Sequence, residues 1–140
     1  MSAGLKAMAP ASVSNLACGF DALGMALDIP GDEIIGRWID TPGVHIVEIR
    51  GEKKNIPQDA SKNIAGITAS AVLKHVGEEK RGLELKIYKH IQGGSGLGSS
   101  AASACAAAVL VVRSDEQVIP CLPRHVDRRA ARSSPFPTPR

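Results

Sequence analysis

Between Leu83 and Val112 the chain changes its periodicity twice, and that change constrains the fold more than any other feature. Leu83, Leu85 and Ile87 alternate with Glu84, Lys86 and Tyr88, the pattern of a half-buried strand. Ile91-Gln92-Gly93-Gly94-Ser95-Gly96-Leu97-Gly98 follows. Ser99 to Val112 (SSAASACAAAVLVV) is then built mainly from alanine, the best helix former, and other small or aliphatic residues. A strand, a glycine loop and a helix in direct succession put the loop at a helix N-terminus. Glycines there let the backbone take positive φ and approach a ligand with no Cβ in the way. Several N–H groups then converge on one point, reinforced by the positive end of the helix dipole. Ser95, Ser99 and Ser100 add hydroxyls suited to phosphate oxygens or a magnesium ion. The segment reads as a polyphosphate cradle. A flexible Gly/Ser linker is the competing reading, but linkers do not ordinarily stand between a strict strand and an immediate helix. The loop is neither the common P-loop, which needs Gly-Lys-Ser/Thr, nor a dinucleotide G-x-G-x-x-G.

Upstream, Leu5 to Val13 and Ala22 to Ile29 read as short strands, with Pro30-Gly31-Asp32 as a turn. Glu33 to Ile39 and Val44 to Arg50 are further strands, separated by Thr41-Pro42-Gly43, and Gly51 to Asp59 is a polar loop. Asn63 to Val76 has helical spacing (Ile64, Ile67, Ala71, Val72) and ends at Gly77, suited to a left-handed cap. The alanine-rich helix is apolar on every side, the mark of a helix buried all round. Strands, helix, strand, loop, helix: the order predicts the α+β class. There is no internal repeat.

Apolar residues make up 44% of the 140 and charged residues 22%, the balance of a soluble globular protein. Aromatics are only 3%, so the core must come from Ile, Leu, Val and Ala. The longest apolar run, Ala101 to Val112, is interrupted by Ser103 and falls short of a membrane span. No secretory pattern opens the chain. Cys18, Cys105 and Cys121 have an odd count and no metal spacing, which reads as reduced thiols and a cytoplasmic protein, with Cys18 a small packed residue. His45, His75, His90 and His125 share no metal spacing. Lys86 and Lys89, on the strand entering the loop, read as solvated lysines, with phosphate contact as the alternative.

Charge divides the chain. Residues 1–112 carry eight Lys and three Arg against eleven acidic residues, and are neutral. Residues 113–140 carry six Arg, no Lys and three acidic residues, which is the whole net charge of +3, and five of the nine prolines. This tail reads as a disordered basic arm, a linker, or a wrong-frame translation. The break in mid-helix favours the last, since the alanine-rich helix runs into Arg113-Ser114-Asp115-Glu116 with no cap and no element to cover it.

Gly96-Leu97-Gly98-Ser99-Ser100-Ala101 resembles the G-L-G-S-S-A motif of the GHMP kinases, whose loop has the form P-x-x-x-G-L-G-S-S-A. Gln92 departs from it, near where the family has Pro or Lys. Ala9-Pro10-Ala11-Ser12, then Asn15-Leu16, Gly19-Phe20-Asp21 and Leu23-Gly24-Met25-Ala26-Leu27, is similar to the opening of the homoserine kinase branch. The resemblance covers roughly residues 6–112, making 1–112 a GHMP kinase N-terminal domain, of a fold shared with a ribosomal protein domain, incomplete and followed by the unrelated tail 113–140.

The resemblance implies transfer of the ATP γ-phosphoryl to the hydroxyl of L-homoserine, with ATP and Mg2+ required. It implies that Ile91, Gln92, Gly93, Gly94, Ser95, Gly96, Leu97, Gly98, Ser99, Ser100 and Ala101 hold the nucleotide, helped by Asn63, and that Ser100 helps ligate magnesium. Asn15 and Asp21 would contact homoserine, with Asp21 orienting its hydroxyl; helix or turn capping is the plainer reading of Asp21. A homodimer is allowed for, and no membrane partner. The family's downstream acidic magnesium ligand, His/Asn motif and second domain are not recognisable in residues 113–140, so the chain alone is expected to have little or no kinase activity. A nucleotide-binding remnant without turnover and another small-molecule kinase of the family are the alternatives. A nucleic-acid module using the Arg tail is remote, because the body is neutral and lacks an aromatic stacking platform.

Overall fold

The computed structural model describes residues 4–19, 22–51 and 56–114. Four strands and two helices follow one another as β1 (Leu5–Val13), β2 (Met25–Ile39), β3 (Gly43–Gly51), α1 (Ile64–His75), β4 (Gly82–Lys89) and α2 (Ser99–Ser114). The strands form one sheet in the order β1-β2-β4-β3. β1 pairs with β2 and β2 with β4 antiparallel, whereas β3 and β4 run parallel through the α1 crossover. This is the expected α+β arrangement.

Period-two alternation builds the inner face of the sheet. Ala7, Ala9 and Ala11 from β1, Ile34 from β2, Ile46 from β3 and Leu83, Leu85 and Ile87 from β4 are buried. Both helices pack here, α2 over β1 and β2 and α1 beside α2 and over β3. Ala65, Ala69 and Leu73 of α1 meet Ala102, Ala106, Ala107, Leu110 and Val111 of α2 in the same core. The outer face carries cross-strand ion pairs instead: Lys6–Glu33 at 2.8 Å, Arg37–Glu84 at 2.7 Å and Lys86–Glu48 at 3.5 Å.

Three expectations change. Pro30-Gly31-Asp32 is not a reversing turn, because β2 runs through it. The register steps from Pro10↔Gly31 to Ser12↔Ala26, so residues 27–30 bulge from the ladder, beyond the stretch that β4 pairs. A bulge is where a strand tolerates proline, which lacks the ladder N–H. Second, α1 turns small residues inward: Ala65, Gly66, Ala69 and Leu73 are buried, while Ile64 and Ile67 are exposed. Third, α2 is not buried all round, since Ala101, Cys105 and Val109 are exposed on its far side. It also extends to Ser114, past the expected seam at 112; the tail reading for residues 115–140 lies outside the described residues.

Candidate functional site

Residues 92–98 leave β4 and enter α2 as a loop in which Gly94, Gly96 and Gly98 have φ of +77°, +76° and +69°. At Gly94 and Gly96 an added Cβ would meet nothing within 4 Å, so torsion and not crowding requires glycine there. Gly98 is crowded as well: a Cβ would lie 2.7 Å from Ser12 Oγ. Ser12 N–H also donates to the Leu97 carbonyl at 3.0 Å, fastening the loop to the end of β1. Ser95 shapes the loop from within, its hydroxyl donating to the Gln92 carbonyl at 2.6 Å.

The loop borders a cavity of about 670 Å3 that lies between it and the start of α1. Two helix N-termini therefore meet at one space. In α2 the first intrahelical bond is Ala102 N–H to the Gly98 carbonyl, so the amides of Ser99, Ser100 and Ala101 precede the ladder. Such amides and the helix dipole favour an anion. In α1, Asn63 is the N-cap: its Oδ1 accepts from Ala65 N–H at 3.0 Å and its Nδ2 donates to the Pro57 carbonyl at 2.8 Å. Asn63 borders the cavity, but both ends of its amide are spent on the protein, and its direct work is to fix the end of α1.

Below the loop lies a cluster that sequence reasoning missed. Asp32 is wholly buried. Its Oδ1 accepts from the His90 and Ile91 amides at 3.0 and 3.1 Å. Its Oδ2 accepts from the Lys89 ammonium and from the Ser99 and Ser103 hydroxyls at 3.2 and 3.1 Å. Lys89 donates further to the Ser99 carbonyl at 3.0 Å and to Ser103 Oγ at 2.7 Å, which uses its three protons. Lys89 is thus a buried ion-pair partner, 8% exposed, and not the solvated lysine expected. Lys86, on the opposite face, is half exposed and pairs with Glu48. The signal for the cluster was phase: Lys89 continues Leu83, Leu85 and Ile87, and Asp32 precedes Ile34 and Gly36, all inward positions. Reading a turn at Pro30 hid it.

Bonds to the Gln92 carbonyl and to Asp32 claim the Ser95 and Ser99 hydroxyls, and Ser100, exposed on the cavity wall, is the hydroxyl that fits ligand chemistry. No cluster of three or more His, Cys, Asp or Glu suited to a metal occurs among the described residues. The donor set fits a magnesium ion that arrives on phosphates and takes one hydroxyl from the protein, the habit of this small, strongly hydrated cation. Asn15 is exposed after β1 and is not part of the cavity wall. Asp21 lies outside the described residues. Cys18 is exposed, not packed as expected.

The sequence and fold are similar to those of one class. Residues 63–117 match the GHMP kinases N terminal domain, and the described fold is that domain's fold. Within the class, the similarity is to homoserine kinases. The chain is 42% identical over 116 residues to the homoserine kinase of Pyrococcus abyssi, covering 79% of this chain and 37% of that protein. It is 47% identical over 104 residues to the homoserine kinase of Xanthomonas campestris pv. campestris, covering 74% and 32%. The crystal structure of homoserine kinase from Cytophaga hutchinsonii superposes with a TM-score of 0.76 at 43% identity, over 81% of this chain and 36% of that one. The chain therefore spans well under half the length of the relatives it matches. No helix among the described residues is long and apolar enough to cross a membrane.

Proposed function

We propose that residues 4–114 form the phosphate-binding part of an ATP-dependent kinase whose acceptor is the hydroxyl of L-homoserine, giving O-phospho-L-homoserine on the route to threonine. The observation that carries this is the loop with three left-handed glycines, set between β4 and the first turn of α2 on the cavity wall. The named homoserine kinases among its relatives support the choice of acceptor. Phosphoryl transfer needs little covalent work from a protein, mainly positioning and charge stabilisation. Backbone amides of the loop and of the α2 start supply that for the phosphates, and Ser100 would hold a magnesium ion that neutralises their charge. Asn15 and Asp21 are assigned to homoserine, Asp21 orienting its hydroxyl. A cytoplasmic location, in keeping with free Cys18 and Cys105, belongs to the same proposal.

A second reading is nucleotide binding without turnover by the 140-residue chain, which spans about a third of the length of these relatives. Calorimetry with MgATP and an assay of homoserine-dependent ADP release, both on the 140-residue chain, separate the outcomes. MgATP binding with little or no ADP release is expected; absence of MgATP binding overturns both readings, and substantial ADP release overturns the second.

A further inference from the structure

We propose that Asp32 is a positioning residue for the glycine loop, acting through both of its anchor points at once. The proposal rests on that loop being the phosphate site. One end of the loop is the strand exit at His90 and Ile91, whose amides donate to Asp32 Oδ1 at 3.0 and 3.1 Å. The other end is the first turn of α2, where the hydroxyls of Ser99 and Ser103 reach Asp32 Oδ2 at 3.2 and 3.1 Å. Lys89 closes the arrangement, pairing with the same oxygen and holding the Ser99 carbonyl and Ser103 Oγ at 3.0 and 2.7 Å. A single wholly buried carboxylate thereby sets the span that residues 92–98 must bridge.

That span matters because the bridge is rich in glycine and costly to order. Glycine loses more conformational freedom on ordering than any other residue, and four of the seven loop residues are glycine. A cradle whose ends drift would have to be ordered anew by each ligand, and the cost would appear as lost affinity. Every proton of the Lys89 ammonium is committed within the cluster, so the pair offers no net charge to the ligand. Its contribution is geometry. Asp32→Asn tests this, because the amide keeps an acceptor for His90 and Ile91 but turns a donor toward Lys89, Ser99 and Ser103.

The measurements are hydrogen exchange of the loop amides and calorimetric titration of the full chain with MgATP and, separately, with adenosine. In Asp32→Asn the amides of residues 93–100 are expected to exchange faster while Leu83, Leu85 and Ile87 keep their protection. MgATP affinity is expected to fall roughly tenfold to a hundredfold, by analogy with the loss of an outer partner that orients a metal ligand, with adenosine affinity little changed. A merely structural role would lower protection everywhere and both affinities together, and would overturn the proposal. Unchanged loop exchange would do the same. If Asp32→Asn does not fold, Ser103→Ala removes one hydroxyl while leaving the ion pair, and its loop amides must still loosen selectively. Failure of the parent chain to bind MgATP would defeat both functional readings and not the anchoring, since the exchange experiment judges the anchoring without nucleotide.

Discussion

Gly98 meets two demands with one missing methyl group. Its φ of +69° suits glycine, and the space a Cβ would fill belongs to Ser12 Oγ, 2.7 Å away. Gly94 meets only the first, with φ of +77° and open space beside it. Gly94→Ala is therefore expected to cost only the left-handed torsion, about 1–2 kcal/mol. Gly98→Ala adds displacement of β1 from the loop and is expected to cost more in urea unfolding and to weaken MgATP binding further. A Gly98 variant no worse than its Gly94 counterpart would contradict this account of the loop. The glycines were legible in sequence because their demand is local. Asp32 was not, although its phase was present. A proline and a glycine before an aspartate carry strong turn chemistry, and that local signal competed with a longer-range one. Lys89 was misread for a related reason: a strand lysine is normally solvated, and only a carboxylate 57 residues upstream makes its burial tolerable.

Among the elements, α1 is specified at both ends by short-range chemistry. Asn63 caps its start, and at its end Gly77, with φ of +79°, lets Gly77 N–H reach the Lys74 carbonyl and Glu78 N–H the Leu73 carbonyl, a Schellman arrangement. Those ends were legible. Its inward face was not, because Ala65, Gly66 and Ala69 carry little hydropathy and owe their burial to close approach of α2 and of the Ala60 backbone. Ahead of α1, Asp59 organises the entry turn, accepting from the Ser61 hydroxyl at 2.8 Å and the Ser61 amide at 2.9 Å. Those bonds, with the Lys62 charge, hold its carboxyl below the ordinary 3.8. A depressed carboxyl adds stability above its unfolded value and loses it as pH falls through the folded one. The Asp59 carboxyl carbon, followed by NMR, is expected to titrate with a midpoint below 3.8, and the Ser61 amide should become exchange-labile over the same acid range. A midpoint at or above 3.8 would contradict the turn. Its side chain is largely exposed, so the effect belongs to the entry to α1 and not to global stability.

At the scale of the whole molecule, the class and order of elements followed from periodicity, since alternation and helical spacing each report on a few consecutive residues. The strand order β1-β2-β4-β3 did not, because a single sequence holds no record of which strands pair. The same limit hid the site's depth: loop, α1 cap and β1 come together only once β3 and β4 lie parallel with α1 crossing between them. The outer side of α2, with Ala101, Cys105 and Val109 exposed, remains apolar, and the chain spans about a third of its relatives. The central claim is nonetheless confined to the described part: the proposed site for the phosphates of ATP is the glycine loop and the start of α2, facing the capped start of α1 across the cavity. Residue-resolved amide shifts of the 140-residue chain on addition of MgATP test it most directly. The account predicts changes concentrated at Gly93 to Ala101 and at Asn63 and Ile64, with the loop changes absent when adenosine replaces MgATP. Changes confined to other surfaces, or the same loop response to adenosine alone, would contradict it.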